Sequence, residues 1–357
     1  MTDDPVARFL RAHAATAVGD TPPRPEADPI DAPPAGTLDF SVELDPDDWK
    51  SIVLGEAPAK AGEYPERFID GCHAGRPVLC LRSPQGYPIP LVLAEVGAVA
   101  LRLNGRTFDR EFRAVERVLG FVADPFPWEE VEAFAAALAN HPGLRLRVVP
   151  ARMPDPEKYS FFDYEVMRNQ ARNRCQQEML SLERIALDAA PDVPTLVDGQ
   201  LGGRIGARAA AKRPLLVGLV KSPTPAALHP LGWRTVNDLP PGRRTPYFKD
   251  ARESDVPIAS WYLRLAGGPH LAPNWGVVRV DVPWVQLKQH PDPSGFVSRL
   301  SRWLVDARCR TDSYARMPVS LDPIVRAEDA LKPLFTPLPV LVNRLYRQAG
   351  LFRRTET

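Results

Sequence analysis

Paired cysteines, a membrane-length apolar run and an excess of either charge are all missing from this 357-residue chain. The four cysteines, Cys72, Cys80, Cys175 and Cys309, make no C-x-x-C pair and no zinc spacing. That excludes a zinc ribbon and points to a reduced, cytoplasmic protein. The start, Met1-Thr2-Asp3-Asp4, is acidic and reads as no signal peptide. The most apolar stretch, Ile89 to Leu103, is broken by Glu95 and Arg102, so no membrane span is expected. Net charge is +1, so there is no global basic field, and any nucleic-acid surface has to come from local arginine clusters. Lysine is scarce, which makes an isolated lysine worth noting. The run Gly199 to Gly206 has neither G-x-G-x-x-G nor G-x-x-x-x-G-K-[ST] spacing, which excludes a nucleotide-driven motor. No internal repeat is visible.

What is present is an ordinary globular composition, 44% hydrophobic and 25% charged, with 40 prolines, about twice the usual share. Residues 1–35 carry many of those prolines and read as a disordered tail, opened by a short helix from Pro5 to Ala15. Residues 36–335 read as one domain, and 336–357 as a basic C-terminal helix. Strands are predicted at Glu66 to Asp70, Arg76 to Arg82 and Ile89 to Leu103, with turns at Gly71 and Pro84-Gln85-Gly86. Those short links imply an antiparallel meander. A helix over 129–140 stops at His141-Pro142-Gly143, and Leu144 to Pro150 is a strand. The longest helix covers 160–189. Strands follow at Thr195 to Val197, Leu215 to Lys221, Ile258 to Leu265 and Val277 to Val282. Helices are expected at 205–212, Phe296 to Ala307, 324–331 and 337–350. Strand runs mixed with long helices imply an α/β fold, a mixed sheet flanked by helices.

Two Asp-Gly dipeptides end apolar runs, Phe68-Ile69-Asp70-Gly71 and Thr195-Leu196-Val197-Asp198-Gly199. A carboxylate at the end of a buried strand, before a residue that turns freely, is a common way to build a divalent-metal site. Alone, each is more often a turn. Between them lies a helix bearing Glu165, Glu178 and Glu183, any of which can also be a solvated face. Lys221 ends an apolar strand. His73 beside Cys72 has no partner pair and reads as structural. Arg204, Arg208, Lys212 and Arg213 follow the second aspartate and are candidates for phosphate contact, as are Arg243-Arg244 and Arg353-Arg354.

These stretches resemble NurA-type nucleases, a group with a ribonuclease H-like core. Phe68 to Gly71 is similar to the family's first Asp-Gly motif. Ile89 to Leu103, with Val96-Gly97-Ala98-Val99, is similar to the core strand that follows. Arg174 to Glu178 resembles the acidic helix motif, and Leu196-Val197-Asp198-Gly199-Gln200-Leu201 the second Asp-Gly motif. Val217-Gly218-Leu219-Val220-Lys221-Ser222 resembles the Gly-x-x-Lys-Ser strand end. Trp261 to Leu265 and Val278 to Pro283 resemble the late strand pair. The resemblance covers roughly residues 64–332. It departs from the pattern at the C-terminal Ala-His pair, where Ala327-Glu328 stands and no histidine follows His290.

The resemblance implies a cytoplasmic DNA nuclease of two-metal type, with Mn²⁺ or Mg²⁺ on Asp70, Glu178 and Asp198. It implies Lys221 and Glu328 as further catalytic residues, and Arg204, Arg208 and Tyr262 as DNA contacts. It also implies a homodimer that works on single-stranded DNA and on ends fed by a HerA-type hexameric ATPase translocase, in repair or defence. Two alternatives stay open. One is a catalytically weakened structural partner of such an ATPase, and the other a ribonuclease H-like nuclease acting on RNA.

Overall fold

Three long strands carry the chain through residues 67–122, and the middle one is buried on both faces. The computed structural model describes residues 4–18, 38–56, 62–153, 155, 157–202, 205–206, 210–211, 213–221, 228–251, 256–267, 274–310, 320–348 and 350–351. The strands are β1 (Thr16–Ala17), β2 (Leu38–Asp39), β3 (Ile52–Val53), β4 (Arg67–Arg82), β5 (Pro88–Asn104), β6 (Thr107–Val122), β7 (Arg147–Ala151), β8 (Thr195–Asp198), β9 (Leu216–Val220), β10 (Arg243–Arg244), β11 (Phe248–Asp250), β12 (Ile258–Arg264) and β13 (Val277–Pro283). The helices are α1 (Pro5–Ala12), α2 (Trp128–Asn140), α3 (Tyr164–Asp188), α4 (Pro230–Asn237), α5 (Trp284–Lys288), α6 (Pro293–Asp306), α7 (Asp322–Leu331) and α8 (Leu338–Gln348). Among the described residues, no helix is long and apolar enough to cross a membrane.

One mixed sheet runs in the order β2-β11-β12-β13-β9-β8-β4-β5-β6-β7. At its centre, β4, β5 and β6 form an antiparallel meander, β8 runs parallel to β4, and β9 parallel to β8. This is the ribonuclease H-like arrangement, and its helices lie on both faces as the α/β pattern implies. The two-residue loop Gly105-Arg106, with Gly105 at φ +62°, closes β5 onto β6 and fixes their register.

The faces follow from strand parity. Ile69 packs with Ala186 and Leu187 of α3, so odd positions at the start of β4 face α3. Phe68 packs with Leu300 and Leu304 of α6 and Ile324 of α7, so even positions face the opposite layer. Asp163 caps α3 by accepting from the Val166 N–H at 3.1 Å. The helix meets β6 closely at Gly120, where an added Cβ would lie 2.7 Å from both the Ala171 carbonyl oxygen and Cys175 Sγ. Gly120→Ala is expected to cost about 1–3 kcal/mol in urea denaturation, since a backbone carbonyl cannot step aside. An unchanged midpoint would remove this close-approach account.

Several expectations change. Glu66 to Asp70 and Arg76 to Arg82 are one strand, β4, and Gly71 is not a turn. β6 is a further strand, whose outer half carries Asp109, Arg110, Glu111 and Arg113 and is largely exposed. The start of the expected tail is folded. α1 buries Val6 and Leu10 in the core that α2 and α8 share, and β1 pairs with β4. The basic helix α8 buries Leu341, Val342 and Leu345 there and packs on its own domain. The helix expected over 205–212 falls largely outside the described residues.

Candidate active site

Asp70, Asp198, Lys221 and Glu328 come together from four separate elements. Asp70 lies on the even face of β4. β8 runs beside it in register, Ile69 opposite Val197, and ends at Asp198. Gly199 then turns the chain at φ +97°, and its N–H donates to the Leu219 carbonyl at 2.8 Å. This second Asp-Gly is a true strand-ending turn, in contrast to the first. Lys221 follows the last residue of β9, and its Nζ lies 2.8 Å from Asp198 Oδ2. Glu328 projects from α7, which packs on Asp70's face through Ala327 and Leu331 against Val99 and Leu101. Lys332, one turn further on, lies 3.2 Å from Glu328.

Asp70 is only 4% exposed. Burial, above all, holds its carboxyl well above the usual carboxylate range. The Asp198 charge adds to this, the Lys221 ammonium works against it, and a hydrogen bond to Asp198 and the charge of Glu328 raise it further. Cys72, two residues along the same face, is likewise raised, by burial and then by Asp70 and Glu328.

The structure does not bring Glu178 to this group. Its carboxylate pairs with Arg147 and with Arg174, each at 2.5 Å, on the β6–β7 side of α3. Burial pushes the Glu178 carboxyl up, but the two guanidinium groups outweigh it and hold it below the usual range. The α3 carboxylate that reaches β4 is Glu183, 3% exposed, and it does so at Gly71, on the face of the sheet opposite to Asp70. An added Cβ on Gly71 would lie 2.4 Å from Glu183 Oε1 and 3.0 Å from Met179. Gly71 is therefore needed for close approach, and its missing side chain lets Glu183 reach β4 on the α3 face, across the sheet from Asp70. Five residues separate Glu178 from Glu183, which turns them roughly 140° apart on the helix.

Other candidates separate in the same way. Tyr262 is 3% exposed and stacks on Phe248 inside a small aromatic cluster, so it presents nothing to a substrate. Arg213 is buried, donating to the Leu187 carbonyl at 3.0 Å and pairing with Asp188 at 2.7 Å, where it ends α3. Arg244 is fully buried on Glu43. Arg204, Arg208, Lys212 and Arg353-Arg354 lie outside the described residues. His73 sits half-buried within β4, with burial pushing its imidazole below its ordinary range.

One network had no role assigned from the sequence. Arg279 pairs with Asp281 at 3.0 Å, and Asp281 accepts from Ser260 Oγ at 2.8 Å. Arg279 also donates to Gln200 at 3.4 Å, which braces the turn after Asp198 from beneath. The signal was Val-Arg-Val-Asp-Val, two charges at i, i+2 on one face of an otherwise apolar strand.

The donor set around Asp70 is oxygen only, which suits Mg²⁺ or Mn²⁺. A bound divalent cation would relieve the repulsion between two adjacent buried carboxylates, so the residues fit such an ion. Among the described residues, no three His, Cys, Asp or Glu groups are already drawn together as a metal cage, and Lys221 supplies the counter-charge.

No family model matches this chain, and no curated protein matches it. Among solved structures it is similar to that of the NurA nuclease from Sulfolobus solfataricus, with a TM-score of 0.42, 9% identity, and coverage of 85% of this chain and 86% of that chain. At that score and identity the likeness carries no weight for fold or site. Both rest on this chain's own strand order and side-chain geometry.

Proposed function

We propose that this chain is a divalent-metal-dependent nuclease that hydrolyses DNA phosphodiesters. The observation that supports this most is the buried Asp70 carboxyl, hydrogen-bonded to Asp198 and flanked by Lys221 and Glu328, at the centre of a ribonuclease H-like sheet. Asp70, Asp198 and Glu328 would hold Mn²⁺ or Mg²⁺, without Glu178. The ion supplies charge neutralisation on the phosphate and a more acidic water. Lys221 shifts from Asp198 toward a phosphate oxygen as negative charge builds there. Glu328 takes the position of the family's histidine, and a carboxylate can accept a proton from water there as the imidazole would. Water adds to phosphorus, one P–O ester bond breaks, and the departing oxygen takes a proton.

The test is cleavage of end-labelled single-stranded DNA with Mn²⁺, with Mg²⁺ and with EDTA. Metal-dependent cutting is expected, with a loss of about a hundredfold or more in Glu328→Gln and little change in Glu178→Gln. The reverse order would return the metal-ligand role to Glu178. Folded protein that cuts no DNA in either metal, alone or with its motor, would overturn the nuclease reading. The homodimer and the HerA-type translocase belong to the same proposal, and co-purification with a hexameric ATPase tests them.

A further inference from the structure

A second basic feature lies on Asp70's face of the sheet, beyond the connection between α7 and α8. It is a cleft of about 520 Å³ lined by Arg117 of β6, Arg145 and Gly143 of the α2–β7 turn, and Arg344, Arg347 and Gln348 of α8. Four guanidinium groups line it, one of them, Arg117, paired with the buried Glu95 carboxylate beneath. In a chain of net charge +1, that is a strong local concentration of one sign.

The floor is built rather than accidental. Arg117 Nε donates to Glu95 Oε1 at 3.1 Å, and its Nη2 donates to Thr336 Oγ1 at 3.0 Å. Glu95 is 2% exposed and also accepts the Thr336 N–H. These bonds fix the Arg117 guanidinium and the approach to α8 together. Arg344 and Arg347 stand on the exposed side of α8, three residues apart and so on one helix face. Arg145 faces solvent from the opposite wall.

The register relates this cleft to the candidate active site. Asp70 pairs with Val99, and Ala74 with Glu95, so Glu95 lies on Asp70's face four residues farther along. At ~3.3 Å per residue that is about 13 Å, the reach of a few nucleotides. Phe335 lies over Gly97 between the two.

We propose that the Arg117–Arg145–Arg344–Arg347 cleft binds the phosphate backbone of single-stranded DNA a few nucleotides from the bond being cut. Guanidinium groups suit phosphate through their paired donors, and backbone contact reads no sequence. The inference rests on the nuclease reading in taking DNA as the polyanion.

The experiment is binding of labelled single-stranded oligonucleotides, dT and dA, to the full chain in EDTA by fluorescence anisotropy over a salt series. Arg344→Gln/Arg347→Gln is compared with wild type and with Arg302→Gln, an exposed arginine on α6. The double variant is expected to bind both oligonucleotides more weakly by the same factor. Its log–log salt slope should fall by about 1.4, two phosphate contacts at ~0.7 each. Arg302→Gln should leave both unchanged. Circular dichroism confirms that each variant is folded, and Arg145→Gln, in a turn, repeats the test from the other wall. An unaltered slope, an equal loss in Arg302→Gln, competition by inorganic phosphate alone, or no DNA binding by wild type would each overturn the proposal. Cleavage by wild type but not by Asp70→Asn, with an unaltered slope, would leave the nuclease standing without this cleft. An altered slope with no cleavage would leave the cleft as a DNA site and remove the nuclease.

Discussion

Asp70→Asn is expected to lower cleavage by about 10³-fold while making the metal-free protein more stable, by about 1–2 kcal/mol at neutral pH. Both effects have one cause. The carboxyl is buried beside Asp198 and Glu328, and its pKa in the folded state is raised well above its ordinary value. An unfolded chain ionises the same group near ~3.9. Between that value and the raised one, the folded protein holds more protons than the unfolded one, so stability falls as pH rises through this window. Above the window the full penalty is present. Asparagine is nearly the same size, carries no charge and can donate a hydrogen bond to Asp198, so both the penalty and its pH slope should vanish. It is also a poorer ligand for a hard cation, so Mn²⁺ should raise the thermal midpoint of wild type and not of the variant. Thermal denaturation from acid to neutral pH, with and without Mn²⁺, tests each part. A variant less stable than wild type, or one that keeps the pH slope, would remove the buried-carboxyl account. Retained cleavage would remove Asp70 from the chemistry.

Arg244→Ala is expected to be the most destabilising single change away from the site, at about 3–5 kcal/mol. Arg244 is fully buried, and its Nη1 and Nη2 each reach a Glu43 oxygen at 2.7 Å. It also donates to Ser298 Oγ at 3.0 Å, the Thr245 carbonyl at 2.9 Å and the Ser294 carbonyl at 3.2 Å. Glu43 in turn accepts the Tyr247 N–H at 2.8 Å and the Ser294 hydroxyl. One guanidinium thus ties the segment around Glu43, strand β10 and the start of α6. Alanine would leave the Glu43 carboxylate, 6% exposed at its side chain, without its counter-charge. Lysine should rescue only part of the loss, since it cannot make the two-point contact. Removing both charges in Glu43→Leu/Arg244→Met should recover most of it. Urea denaturation reads all three. A loss below about 1 kcal/mol in Arg244→Ala would show that the pair is not an anchor.

The two arginine readings show where sequence reasoning stops. Arg213 and Arg244 look like surface cations in a chain expected to meet DNA, yet both are buried in ion pairs with distant carboxylates. The cleft arginines, Arg117, Arg145, Arg344 and Arg347, form no pattern in the sequence because they are scattered over more than 200 residues. Glu165, Glu178 and Glu183 look equivalent along α3, where each is a glutamate on a long polar helix. Only the contact at Gly71 places Glu183 against the sheet, on the face opposite to Asp70, and only Arg147 and Arg174 remove Glu178. In β6 the charged outer half hid a strand whose pairing with β5 is decided across the sheet.

The amino-acid sequence alone determined the short-range features: the α2 and α3 helices, the apolar β5 and β9 strands, the turn at Gly199, and the chemistry available at Asp70, Asp198, Lys221 and Glu328. These follow from periodicity and residue type within a few turns or one strand. Tertiary structure decided which face each strand turns inward, how α3 is rotated about its axis, and which cations are used up in the core. Those choices are set by packing between elements far apart in the chain. A rotation of 140° on a helix or a one-residue change of parity on a strand leaves the local pattern unchanged and moves a side chain from the site to the opposite layer.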